Sequence, residues 1–246
     1  MKRGIGQEFL EKTKYQYLGE SDQQKELPQP PLAMDAAGQP AIDLPRPDQL
    51  SIRSIDLTTA INRRRSVRKY AAEPLTLEEL SYLLWCTQGV KQVTNRPATL
   101  RTVPSAGARH PFETYLLINR VQGLQPGLYR FLALTHQLVA EDLSEDIADR
   151  ITAAALRQPF IRTSAVTFLW VAVPYRSIWR YQERAYRYLF LDAGHVCQNL
   201  YLAAEAIDCG CCAVDAFDDD RLNQLLGLDG VEQFAIYLAP LGKKDN

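Results

Sequence analysis

The chain carries almost no net charge: 28 Lys and Arg stand against 29 Asp and Glu, leaving −1 over 246 residues. That excludes a globally basic protein that coats nucleic acid, and no nucleic-acid partner is expected. Long apolar runs are missing too. The longest, near Val166–Val173, is about half of what a membrane span needs, so no membrane partner is expected. The opening MKRGIGQEFLEKTK is basic but has no apolar h-region, so a signal peptide is not expected. No G-x-G-x-x-G follows a strand and no G-x-x-x-x-G-K-S/T occurs, which removes the phosphate turns of Rossmann and P-loop proteins. Without G-x-S-x-G there is no α/β-hydrolase nucleophile elbow. The five cysteines make no even disulfide framework, and three of them crowd into residues 209–212 without a second pair at zinc spacing. Reduced thiols in a cytoplasmic protein are the expectation. His195 has Asp192 before it and Cys197 after it, but residues two apart on a helix face different ways, so no metal site is expected there.

What is present is an ordinary globular composition, 46% hydrophobic and 23% charged. Six of the fourteen prolines fall within residues 1–50, at 28, 30, 31, 40, 45 and 47. Proline resists helices and central strands, so 1–50 is expected as an extended arm lying over a surface, and 51–246 as the main domain. In that domain Asp56 can cap a short helix towards Arg64, and Thr76-Leu-Glu-Glu79 is a capping box whose helix stops at Gly89. Glu113–Ile118 and Gly127–Leu132 predict a hairpin, Ser144–Leu156 a helix, and Ala165–Val173 a buried strand. Residues 183–207 predict a long helix and Phe234–Leu241 a last strand. The fold class is α+β, with a mixed sheet.

Two segments suggest chemistry. Arg63–Tyr70 places five basic residues and one hydroxyl in a short run. Arginine forks and a serine hydroxyl suit a dianionic phosphate; the alternative is a solvated helix end whose cations face the C-terminal dipole. Pro104-Ser-Ala-Gly-Ala-Arg-His-Pro111 is a loop of small residues at a sheet end, where backbone can approach a flat ligand closely.

Taken in order, R-R-S-x-R-x-Y (64–70), P-L-T-L-E-E-L-S-x-L-L-W-x-x-Q-G-V (74–90) and P-S-A-G-A-x-H-P-x-E (104–113) resemble the FMN-dependent nitroreductase superfamily. Tyr186–Leu200, Ala216–Asp219 and the arm's F-x-x-x-T-K-Y (9–15) are similar to its SagB-type branch, which includes thiazole and oxazole oxidases of modified-peptide biosynthesis. The resemblance covers about residues 50–246. It implies a nitroreductase-like α+β fold with a mixed, mainly antiparallel central sheet flanked by helices. It implies FMN as cofactor, NAD(P)H as a possible reductant, hydride passing through flavin N5 in ping-pong fashion, and a small-molecule or modified-peptide substrate. By the same resemblance Arg64, Arg65, Ser66 and Arg68 hold the FMN phosphate and Lys243 completes that site. Pro104, Ser105, Ala106 and Gly107 lie against the ring from the other subunit, Gln158 contacts the pyrimidine edge, and the Asp215-Ala216 backbone faces N5. Azoline dehydrogenases resemble W-K-Y where this chain reads Trp179-Arg180-Tyr181. Arginine stays protonated and cannot act as a base, so the substrate stays open between a generic oxidoreductase and a peptide azoline dehydrogenase. Tyr181 is the candidate acid beside Arg180, and a flavin-binding scaffold without turnover is the reading of another class. The 183–207 helix is apolar on more than one face, which predicts a homodimer with the FMN sites at its interface. The arm is expected to wrap the partner.

Overall fold

The sequence's apolar strands meet in one seven-stranded sheet. The computed structural model describes residues 4–96 and 98–245; residues 1–3, which open the basic start, and residues 97 and 246 lie outside the described residues. The chain begins with α1 (Ile5–Lys12), β1 (Ala41–Asp43), α2 (Leu57–Arg63), α3 (Leu77–Gln88) and the small hairpin β2 (Val90–Val93) and β3 (Thr99–Arg101). There follow β4 (Phe112–Ile118), β5 (Gly127–Leu132), β6 (Gln137–Asp142), α4 (Ile147–Ala154), α5 (Pro159–Thr163) and β7 (Val166–Ala172). The last elements are α6 (Tyr175–Tyr181), α7 (Ala185–Ala206), β8 (Cys209–Cys211), α8 (Asp219–Leu225) and β9 (Phe234–Lys243).

The sheet order is β1-β6-β5-β4-β7-β9-β8. A mixed, mainly antiparallel sheet flanked by helices is the expectation, and every pair of neighbouring strands in this sheet runs antiparallel. Short turns join β4, β5 and β6 and force each reversal, because a parallel return needs a long crossover. Among the described residues parallel pairing occurs in isolated bridges such as Ser66 to Cys211. All seven residues of β4 and of β7 are buried, so the centre of the sheet is covered on both faces. Period-two alternation sorts them. Leu116, Ile118, Phe168 and Trp170 pack with Leu83 and Leu84 of α3 and Val196 and Leu200 of α7. Leu117, Leu169 and Val171 pack with Ile147, Ile151, Ile161 and Leu222 on the opposite side.

Local signals were followed closely. The Asp56 carboxylate accepts from Thr59 N at 3.0 Å, and both halves of the Thr76–Glu79 capping box form. The helix expected over Ser144–Leu156 shrinks to α4, because the Asp142 carboxylate takes Ser144 N–H and holds that stretch as a turn.

The arm departs from an extended shape in two places. Residues 5–12 contain no proline and form α1, helped by a Glu8–Lys12 pair at 2.6 Å. Ala41–Asp43 pairs with β6 at the sheet's edge. The arm also spends its polar groups on its own chain. Gln23 N donates to Trp179 O at 2.8 Å, Trp179 Nε1 to Leu27 O at 3.0 Å, and Arg176 Nε to Pro31 O at 3.0 Å. Arg130 Nη2 donates to Asp35 O at 2.9 Å. Long buried arginine forks reach backbone carbonyls that prolines leave without a sheet partner.

Candidate functional site

The basic run leaves α2 at Arg64, whose backbone turns extended (φ −56°, ψ 126°). From there it lies along β8, with Val67 N donating to Cys211 O at 2.9 Å. Gly210 permits that approach, since a side chain there would meet Val67 Cγ2 at 2.5 Å. Arg63 is paired with Glu205 and Asp208, each at 3.5 Å. Arg64, Arg65 and Arg68 have no carboxylate partner among the described residues. Aromatic faces steer two of them: Arg64 sits 5.3 Å over the Tyr201 ring and Arg68 5.9 Å over Phe160. Ser66 Oγ and Tyr201 OH share a hydrogen bond of 3.0 Å, and Tyr201 OH accepts from Ala213 N at 2.8 Å. Burial pushes the Cys212 thiol up, while Arg68 and Ser66 pull it back. The result is a patch of cations and hydroxyls lacking a counter-ion. Lys243, expected beside them, instead gives its ammonium to Glu79 and to Ile207 O at 3.0 Å. The acid that closes the α3 capping box takes its charge.

Next to Arg68, Phe160 leads into Gln158, whose Nε2 donates to Ala216 O at 2.9 Å and Ala155 O at 3.1 Å. Gln158 and Ala216, far apart in sequence, are thus brought together. Asp215 borders a cavity of about 230 Å³ with Phe190, Ala193, Gly194, Ile236 and Tyr237. Gly194 leaves the floor of that cavity open.

The Pro104–Gly107 loop lies elsewhere. Ser105 Oγ donates to Asp192 at 2.6 Å and Ala106 N to the same carboxylate at 3.2 Å. Ser105 Oγ in turn accepts from His110 N at 2.9 Å. Burial raises the Asp192 carboxyl above the usual range, partly offset by those two donors. The turn is left-handed at Gly107 (58°), Ala108 (52°) and His110 (45°), a cost that two non-glycine residues bear only where surroundings enforce it. A side chain at Gly107 would collide with the Tyr181 hydroxyl and come within 3.3 Å of Arg180 Cδ. So Arg180, Tyr181 and the Gly107 turn form one group, while Arg64, Arg65, Ser66, Arg68, Gln158, Asp215 and Ala216 form another.

Helix α7 separates the two groups. Its Asp192 holds the loop and its Tyr201 holds the arginine run. Nine residues of helix set these about 13 Å apart along the axis and on opposite faces. Sequence reasoning missed three residues here. In the sequence Asp192 reads only as a neighbour of His195, Arg109 only as part of the loop, and Tyr201 carries no signal of its own. A carboxylate inside an apolar helix was the available signal for Asp192.

Among the described residues no helix is long and apolar enough to cross a membrane. The Nitroreductase family model matches residues 61–243. The nitroreductase-named protein MJ1384 of Methanocaldococcus jannaschii is 35% identical over 193 residues, 78% of this chain and 93% of that one. The trifolitoxin-processing protein TfxB of Rhizobium leguminosarum bv. trifolii is 28% identical over 63% of this chain, which spans only 44% of TfxB. Among solved structures, a nitroreductase-named protein of Anabaena variabilis superposes with TM-score 0.69 at 27% identity, covering 85% of this chain and 42% of its own. With the family pattern matched from the arginine run to the last strand, and an archaeal relative aligned over nearly its whole length, this chain belongs to the nitroreductase family.

Proposed function

We propose that the protein is an FMN-dependent oxidoreductase whose two flavin sites lie across a homodimer interface. The observation that carries this is the set of unpaired arginines, Arg64, Arg65 and Arg68, beside the Ser66 hydroxyl. Such a set fits a terminal phosphate dianion, which would bring the missing counter-charge. The cavity bordered by Asp215 and Gly194, walled by α7 and β9, suits the flat part of the cofactor. In this reading Gln158 and the Asp215-Ala216 backbone offer polar edges to it, and Lys243 stays with Glu79. Bound there, FMN would supply a centre at N5 that accepts and returns hydride, with NAD(P)H as reductant.

The Gly107 turn of the same chain lies on the other side of α7, so a partner's turn would complete each site. Phe190 and Leu191 of α7 are each 60% exposed, and Leu57 and Ile61 of α2 are 62% and 52% exposed. A twofold partner covering these side chains with the same patch would take them out of water. Tyr181, beside the Gly107 turn, would serve as a proton donor to a substrate bound there, and Arg180 would contribute only charge, because a guanidinium does not deprotonate in this setting.

Purification tests this reading. A yellow protein releasing FMN on denaturation, and oxidising NAD(P)H with a nitroaromatic acceptor, is expected. A colourless protein that takes up no FMN on reconstitution contradicts it. A second reading, oxidation of azolines in a modified peptide, is favoured by the similarity to TfxB. Azole formation from a cyclised peptide substrate is its test.

A further inference from the structure

Two arginines beside the Gly107 turn have no acid to answer them among the described residues. Arg109 is only 4% exposed. Its Nε donates to Arg176 O at 2.9 Å and its guanidinium stacks 5.1 Å from the Trp179 ring centre. Its Nη1 and Nη2 meet no acceptor among the described residues. Nor are they fully sealed in as Arg130 Nη1 and Arg176 Nη1 are; they keep the little solvent contact that this side chain has.

Arg180 is exposed, and its stem passes within 3.3 Å of where a Gly107 methyl would stand. Its guanidinium lies 5.5 Å from the Tyr181 ring centre and makes no hydrogen bond or ion pair among the described residues. The other arginines of this stretch are used. Arg176 pairs with Glu113, Arg184 donates to Thr13 O at 2.9 Å and Tyr188 OH at 3.0 Å, and Arg187 donates to Thr13 Oγ1 at 2.7 Å. The arm fills those forks and leaves Arg109 and Arg180 open. Burial and then the nearby Arg180 charge pull Arg109 below the ordinary arginine range. No carboxylate opposes this, so two like charges are held together in a partly dry wall.

We propose that Arg109 and Arg180 form a subsite for a carboxylate or phosphate group of the molecule that enters beside the Gly107 turn. The placement of that molecule rests on the flavin reading above; the anion recognition rests on the two arginines. Guanidinium forks bind planar oxyanions through paired N–H donors, and an anion would relieve the repulsion between them. Trp179 fixes one fork by stacking, so little ordering cost remains there.

The test is calorimetric binding to the flavin-loaded protein, with 4-nitrobenzoate and its neutral methyl ester as probes and FMN content measured on the same samples. The acid should bind at least about tenfold more tightly than the ester, the size of one charge-assisted contact. Arg180→Gln should abolish that preference while leaving ester affinity within about twofold, and Arg109→Lys, which keeps the charge but loses the fork, should weaken it. Equal binding of acid and ester, no binding of either at millimolar concentration, or a preference untouched by both substitutions would overturn the subsite. NADPH against NADH separates the sources. If Arg180→Gln erases a preference for NADPH, the anion is a phosphate of the reductant; if it erases only the acid preference, it is a carboxylate of the substrate. A protein that holds no FMN but still selects the acid keeps the subsite and loses the flavin reading.

Discussion

Replacing Arg68 by alanine separates phosphate binding from ring binding. Arg68 has no acid partner among the described residues and rests 5.9 Å from the Phe160 ring centre, so its removal breaks no ion pair seen there and should leave the fold intact. A charge-assisted hydrogen bond to phosphate contributes about 1.5–3 kcal/mol, so FMN affinity should fall roughly tenfold to a hundredfold. Riboflavin, which has no phosphate, should bind both proteins within about twofold, because Gln158, Ala216 and the cavity beside Asp215 are untouched. Titration calorimetry of the flavin-free protein with each compound reads both numbers. The FMN difference should shrink as salt rises, since the site is exposed and its charges are screened. If Arg68→Ala leaves FMN affinity unchanged, the run is a solvated helix end. If FMN and riboflavin weaken together, Arg68 acts through Phe160 packing and not through phosphate.

Further outcomes follow from the buried polar groups and caps. Burial first, then Arg101 and Arg109, push the His110 imidazole down to about 3. The unfolded chain therefore binds the proton more readily between that value and the ordinary histidine range. Thermal stability should rise with pH from about 3 to about 6.5, by a few kcal/mol at most, and His110→Gln should flatten that slope in calorimetric scans. Asp192 acts with the opposite sign: its carboxyl is raised by burial, so its contribution is lost as pH rises above the usual carboxylate range, and Asp192→Asn should remove that part. Thr76→Ala opens the capping box on α3 and should cost about 1 kcal/mol in denaturant titrations.

Where a signal was local, the fold could be read before it was seen. The Thr76–Glu79 box, the Gly127 hairpin and the apolar β7 carry their own instructions within a few residues. Strand β6 and helices α6 and α8 do not; they are short, and their burial is decided by β5, the arm and α4 lying against them. The mainly antiparallel character of the sheet was legible too, because hairpin turns, not crossovers, connect its middle. The site divides in the same way. The arginine run and the Pro104–Gly107 loop are contiguous and announce themselves. Asp192 and Tyr201 act on them from 87 and 135 residues away, and only the folded α7 shows that one side chain serves each face. The arm lies over a surface as its prolines suggest, but nothing in 1–50 names Arg130 or Arg176 as the side chains that receive it.

The central claim, one site built from two chains, is tested most directly by mixing two defective proteins. Arg64→Ala/Arg68→Ala removes the phosphate half, and Gly107→Val, strained at φ 58° and colliding with Tyr181, removes the loop half. Each alone should bind FMN weakly as a homodimer. Unfolded and refolded together, half of the dimers should be mixed, and each mixed dimer should hold one site with both halves intact. About a quarter of all sites should regain tight FMN binding. A mixture that binds no better than its two components would contradict it, as would a flavin-loaded wild-type monomer in the same light-scattering run.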